Sequence, residues 1–179
     1  TDTSDTIYPH LFSPITLAGK TLRNRLVHAS MSLRYVSDGA VNDETITYYR
    51  NRAQGGVSMA ITEPMGTTRW NIAPRRIQVF GQANEDGLKR FADEVGNDGC
   101  LMIGQLQDSG RGNHEGGRRA NSIGPSPLPD DLSWTVPHAM TTEEVEVMIS
   151  DFAESAAWLK HCGWSGIEIS AGHGHIFHQ

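Results

Sequence analysis

The sequence predicts an α/β fold on a parallel sheet, of the (β/α)8 TIM-barrel type, with about four β/α units from the N-terminal portion of the barrel and a small β-hairpin cap before them. Two observations carry this. Strand and helix patterns alternate strictly from Arg25 to Ile169, which requires parallel strands joined by right-handed crossovers. A polar or unusual residue also follows each strand in turn: Ser30 and Ser32, Glu63, Gln105, then Ser170, His173 and His175. A doubly wound sheet would satisfy the alternation equally well. It would, however, place Gly-x-Gly-x-x-Gly after its first strand, where this chain reads Ala29-Ser30-Met31-Ser32-Leu33. In a barrel the residues after the strands converge on the C-terminal face, where barrel enzymes carry their sites.

The elements follow in order. Ile15-Thr16-Leu17 and Lys20-Thr21-Leu22 flank Ala18-Gly19 and read as the hairpin that caps the barrel floor. The first strand is Arg25-Leu26-Val27-His28-Ala29. After a polar loop, Asn42 supplies an N-cap and Asp43 and Glu44 first-turn acids for a helix through Tyr48, Tyr49 and Ala53, stopped by Gly55-Gly56. The second strand runs from Val57 to Glu63, and a long loop leads to Gly81. Asn84 then caps a helix with Leu88, Phe91 and Val95 on one side, ended between Gly96 and Gly99. Cys100 to Leu106 is the third strand. Residues 108–140 are rich in Gly, Pro, Asn and Arg without a clear period, and loops this long inside a compact domain are functional or carry small irregular elements. Thr141 and Glu144 have capping-box spacing at the start of a helix whose apolar face is Met148, Ile149, Phe152, Ala156 and Leu159, with Gly163 at its end. Gly166 to Ile169 is the fourth strand.

Composition excludes several classes. The 179 residues are 37% apolar and 20% charged, ordinary for a globular domain with a real core. A net charge of −6 argues against a nucleic-acid surface, since the arginines between Arg111 and Arg119 are diluted by Gly and Glu115. No apolar run approaches the ~20 residues of a membrane helix, and Thr1-Asp2-Thr3-Ser4-Asp5 is unlike a signal peptide, so a cytoplasmic location is expected. Cys100 and Cys162 are isolated and read as core thiols. Trp134, Trp158 and Trp164 read as packing residues.

Several segments together resemble the old yellow enzyme family of FMN-dependent oxidoreductases. They are Leu11-Phe12-Ser13-Pro14 with Asn24-Arg25-Leu26-Val27, Ile61-Thr62-Glu63, Gln105-Leu106 with Gly110-Arg111, Pro125-Ser126, Met140-Thr141-Thr142-Glu143-Glu144, and Gly166-Ile167-Glu168-Ile169 followed by His173-Gly174. The resemblance implies an FMN-binding barrel domain of which residues 1–179 are the N-terminal half, with NAD(P)H as reductant and a small-molecule substrate. It assigns Ala29, Ser30, Met31 and Ser32 to the flavin edge, Pro64 to the wall of the ring, and Gln105 to the pyrimidine edge, where a carboxamide offers both a donor and an acceptor.

After the fourth strand, family reductases carry His, then His or Asn three residues later, then Tyr two further on; here the positions read Ser170, His173 and His175. The first two positions bind the oxygen of an electron-withdrawing group and the third protonates the substrate. Ser170 is a neutral donor, His173 retains the oxyanion role, and His175 replaces the tyrosine with an imidazole, which titrates near neutrality. Asp108 stands where many members have histidine. Reduction of an activated C=C bond is the first expectation; oxidative demethylation of a methylated amine is the alternative, and a non-catalytic half-barrel is the third. His173, His175 and His178 form His-x-His-x-x-His, but no carboxylate or Cys partner has matching spacing, so no metal is expected. Glu168 reads equally as a structural or a catalytic acid. A barrel needs eight units, so the missing half is expected from the same polypeptide or a second subunit, and a homo-oligomer stays open.

Overall fold

The computed structural model describes residues 7–112, 122–132 and 134–179. The acidic stretch from Thr1 to Asp5 and the loop positions Glu115, Arg118 and Arg119 lie outside the described residues. Strands β1 (Ile15–Leu17) and β2 (Lys20–Leu22) form the antiparallel hairpin, turning through Ala18 and Gly19 at positive φ. The central sheet contains β3 (Val27–His28), β4 (Met59–Gly66), β5 (Leu101–Gln107) and β8 (Gly166–Ile169), all parallel and adjacent in chain order. Helices α1 (Asp43–Gln54), α2 (Glu85–Gly96) and α3 (Thr142–His161) connect them. Two short parallel strands, β6 (Ile123–Gly124) and β7 (His138–Ala139), organise part of the loop between β5 and α3.

The helix ends follow the sequence chemistry in two cases and depart from it in one. Asn42 Oδ1 accepts from Thr45 N at 2.9 Å. Thr141 and Glu144 make the full capping box, with Thr141 N donating to Glu144 Oε2 at 2.8 Å. Asn84 stands at the start of α2 but in the left-handed region, and its side chain caps nothing. Its Nδ2 instead donates to the carbonyls of Gly39 and Gln78, at 2.5 and 3.2 Å, tying two loops together.

Strand boundaries shift where backbone groups are taken elsewhere. Arg25 N bonds Leu11 O and Leu26 N bonds Asn24 Oδ1, so β3 shortens to Val27–His28. Val57 N closes the end of α1 on Arg52 O, so β4 starts at Met59, and it runs on through Glu63 to Gly66. The loop after β4 folds back on that strand: Gly66 N donates to Ile77 O at 2.9 Å and Val79 N to Gly66 O at 3.0 Å.

Alternation along the strands divides the sheet into two faces. Ala60, Thr62, Met102 and Leu106 are buried against the helices with Leu88, Phe91, Val95 and Leu159. Met59, Ile61, Leu101 and Ile103 on the opposite face are only half-buried. Ile149 departs from the expected apolar face of α3 at 60% exposed, and Trp134, at 70% exposed, is not a packing residue. Trp158 and Trp164 do pack, donating their indole N–H to Ala83 O and Leu88 O. Cys100 and Cys162 are buried free thiols, and burial pushes the Cys100 thiol up to about 11. No described helix is long and apolar enough to cross a membrane.

Candidate functional site

The strand ends open into one cleft of about 360 Å3 at the C-terminal edge of the sheet. Ser30, Met31, Ser32, Pro64 and Gln105 line one part of it, and Ser170, His173 and His175 another. Ala29 is exposed and lies outside the lining, because the chain leaving β3 turns Ser30, not its neighbour, toward Gln105.

A bulge in β4 sets the geometry. The pairing of β4 with β5 shifts register between Ile61 and Pro64, and Pro64 has no N–H to give. Side chains from neighbouring elements restore the missing bonds. Tyr49 Oη on α1 accepts from Glu63 N at 2.8 Å, Thr62 Oγ1 from Gln105 N at 3.2 Å, and Thr67 Oγ1 from Gln107 N at 3.0 Å. The bulge brings the buried Glu63 carboxylate under the loop after β3, where Oε2 accepts from the backbone N–H groups of Leu33 and Arg34 at 3.2 and 3.3 Å. That contact holds the segment bearing Ser30, Met31 and Ser32. Burial pushes the Glu63 carboxyl above the usual range, against the two backbone donors and nearby Arg76, which favour its ionised form.

Across the cleft floor the polar groups are joined to one another. Ser30 Oγ donates to Gln105 Oε1 at 2.9 Å, and Gln105 Nε2 donates to Glu168 Oε1 at 2.7 Å. A carboxylate only accepts and a serine hydroxyl can donate, so the Gln105 amide has one orientation. Among the described residues its side chain makes these two bonds, out of the two donor hydrogens and two lone pairs a carboxamide has. Two residues further along β5, Arg76 Nη1 donates to Gln107 Oε1, and Gln107 Nε2 reaches Ser170 Oγ at 3.5 Å. Asp108 accepts from Thr68 Oγ1 and, at 2.7 Å, from Gly110 N; burial pushes its carboxyl up.

The turn after β8 is held from below. His173 lies at φ +58° and Gly174 at +72°, a left-handed pair. Gly174 N donates to His178 Nδ1 at 3.0 Å, while Gln179 Nε2 donates to Gly174 O at 2.6 Å and Ser109 O at 3.1 Å. His178 thus serves the turn itself. The His173 and His175 rings are 6.1 Å apart and also border a second cavity of about 190 Å3 lined in part by Arg111, Asp130 and Leu132. Among the described residues no group of three or more His, Cys, Asp or Glu side chains gathers to hold a metal ion.

Six residues of the lining stand outside the site set read from the sequence: Arg76, Gln107, Ile169, Ala171, Gly172, and Glu168, which the sequence left open between a structural and a catalytic acid. Period-two alternation from Gln105 would have found Gln107. Arg76 gave no local signal, since it arrives through the loop that folds back on β4.

Known proteins are similar to this chain in sequence and fold. A metal reductase from Desulforamulus reducens is 33% identical over 169 residues, covering 94% of this chain and 25% of its own length. An NADPH dehydrogenase from Bacillus velezensis is 28% identical over 172 residues, covering 94% and 50%. The chain therefore spans a quarter of the first relative and half of the second. Among solved structures, a 2-naphthoyl-CoA reductase in complex with 2-naphthoyl-CoA superposes with a TM-score of 0.85 at 25% identity, over 94% of this chain and 28% of the other. The four β/α units are those of the N-terminal portion of a TIM barrel. The model of one family spans residues 10–179 and so takes in every strand that shapes the cleft: the chain belongs to the NADH:flavin oxidoreductase / NADH oxidase family.

Proposed function

We propose that this chain forms the ring-binding and substrate-facing half of an FMN-dependent oxidoreductase that reduces an activated C=C bond. The observation that carries the reading is the meeting, in one cleft, of Ser30, Met31, Ser32, Pro64 and Gln105 with Ser170, His173 and His175. The donor set fits the pyrimidine end of a flavin. The Gln105 amide has a second donor and a second acceptor site beyond its bonds to Glu168 and Ser30, and Pro64 and Met31 supply apolar surface for a flat ring. Bound FMN would take hydride from NAD(P)H and supply it from N5.

The chain's own residues do the rest. Ser170 and His173 hold the oxygen of the electron-withdrawing group and favour the negative charge that develops there. His175 delivers a proton to the α-carbon, a role suited to imidazole. The Glu63 clamp keeps the loop after β3 in register with Gln105. The remaining β/α units, with the phosphate site that barrels place after strands seven and eight, come from further sequence of the same polypeptide or from a second subunit. In support, β3 and β8 are sheet edges among the described residues, and Ile167 and Ile169 of β8 are exposed.

The test is anaerobic reduction of the flavin-loaded full protein by NAD(P)H, followed by reoxidation. Reoxidation by an enone supports the reading. Flavin reduction by a methylated amine instead would replace it with oxidative demethylation, and failure to gain flavin absorbance would refute both.

A further inference from the structure

We propose that Arg76 and Gln107 are positioning residues that make the Ser170 hydroxyl a committed donor into the cleft, so that Ser170 takes the oxyanion of a substrate or ligand. The inference rests on the reading that this end of the cleft receives the acceptor's oxygen. The argument begins with direction. A guanidinium has N–H donors and no acceptor, so the group it meets on Gln107 is the amide oxygen. The amide nitrogen then faces the other way, toward Ser170 Oγ at 3.5 Å.

Little freedom remains to reverse this order. Gln107 is buried, its backbone N–H is taken by Thr67 Oγ1 at 3.0 Å, and its carbonyl accepts from Asn71 Nδ2 at 2.8 Å. Arg76 is 7% exposed and close enough to the Glu63 and Asp108 carboxyls to favour their ionised forms, which anchors its charge in place. Ser170 is 8% exposed, and its backbone N–H is bound to Leu106 O at 3.0 Å. With an N–H directed at its oxygen, the serine need not spend its own hydrogen on Gln107. That hydrogen turns to the cleft, which Arg76, Gln107 and Ser170 line together. Hydrogen bonds in a chain polarise one another, so a fixed cation two steps behind strengthens the final donor. A neutral serine thereby acquires cationic support, and the class of ligand it suits is an oxyanion or a strongly polarised carbonyl or nitro oxygen.

The experiment titrates 4-nitrophenolate into the flavin-loaded full protein and reads the dissociation constant from the change in flavin absorbance. Gln107→Glu is the decisive variant: it keeps an acceptor for Arg76 but offers Ser170 an acceptor as well, drawing the serine hydrogen out of the cleft. Affinity should fall about tenfold, as for Ser170→Ala, in line with one lost hydrogen bond to a charged group. The double variant should be no weaker than either single one. Arg76→Met should follow Gln107→Glu and Arg76→Lys should recover part of the loss, which keeps the test open if the glutamate variant does not fold. Unchanged affinity in Gln107→Glu with a loss in Ser170→Ala, or additive losses in the double variant, overturns the relay. If Ser170→Ala and His173→Ala both leave affinity unchanged, the acceptor site of the proposed function is itself wrong, and the relay falls with it.

Discussion

Replacing Tyr49 with Phe tests whether a helix side chain holds the bulge that shapes the cleft. Tyr49 is 0% exposed, and its ring lies 5.1 to 5.5 Å from those of Tyr48, Phe91 and His28, contacts that phenylalanine would keep. The substitution removes one oxygen, the acceptor of Glu63 N at 2.8 Å. The register shift between Ile61 and Pro64 leaves that N–H with no ladder partner to fall back on. The space vacated is smaller than a water needs, so the N–H stays orphaned at a cost of about 1–3 kcal/mol. For a domain of this size that lowers the thermal midpoint by roughly 2–12 °C. Thermal and urea unfolding of the full protein should agree on the loss, and flavin release should quicken, because Glu63 also holds the loop with Ser30 and Ser32. A midpoint within about 1 °C of the parent would refute this account of the bulge.

Gly104→Ala should destabilise by about 1–3 kcal/mol through overpacking, since a Cβ there would overlap Leu159 Cδ1; urea unfolding reads it. Arg69→Met takes from the buried Asp151 carboxylate the donors Arg69 Nε and Nη2, at 3.0 and 2.7 Å, and leaves it the backbone N–H of residue 69 at 3.1 Å. Because Arg69 itself is half-exposed, the loss should be about 2–3 kcal/mol, below the roughly 3–5 of fully buried pairs. Glu168→Leu removes the carboxylate that fixes Gln105, and flavin affinity measured by fluorescence should fall roughly tenfold while Glu168→Gln retains most of it; equal affinities would show that Glu168 does not orient the amide. Burial holds Glu63 and Asp108 above the usual carboxylate range, so the folded chain binds their protons more tightly than the unfolded one. Their contribution to stability is full below the unfolded pKa and falls as pH rises through the folded pKa, so urea midpoints should drop as pH rises above the ordinary carboxylate range. The double variant Glu63→Gln/Asp108→Asn should flatten that slope.

Local chemistry made much of this fold legible. The caps at Asn42 and Thr141, the hairpin turn at Ala18-Gly19 and the strand Gly166–Ile169 depend on neighbours within a few residues, and all are in place. What the sequence hid depends on partners far along the chain. Asn84 carries the composition of a cap but answers to Gly39, and the bulge answers to Tyr49 on another element. The candidate site was legible for the same reason the strands were, since each polar residue follows a strand end. Ala29 lies outside the lining, one step of the chain before Ser30, and Arg76 was invisible because its loop returns to β4 through Gly66.

The cleft also depends on register. Gln105 and Gln107 point to the same side because strand side chains alternate with a period of two, and each anchors its own polar row: Ser30 and Glu168 at one level, Arg76 and Ser170 at the next. A slip of β5 by one residue would turn both amides toward the helices and break both rows at once. Gly104, between Ile103 and Gln105, works against that slip, because only a residue without Cβ lets Leu159 approach the strand at this point. A slipped strand would put the side chain of Ile103 or Gln105 where Leu159 now rests. Packing behind the sheet and hydrogen bonding in front of it therefore select the same register, and the site's polar order follows from the way the core closes.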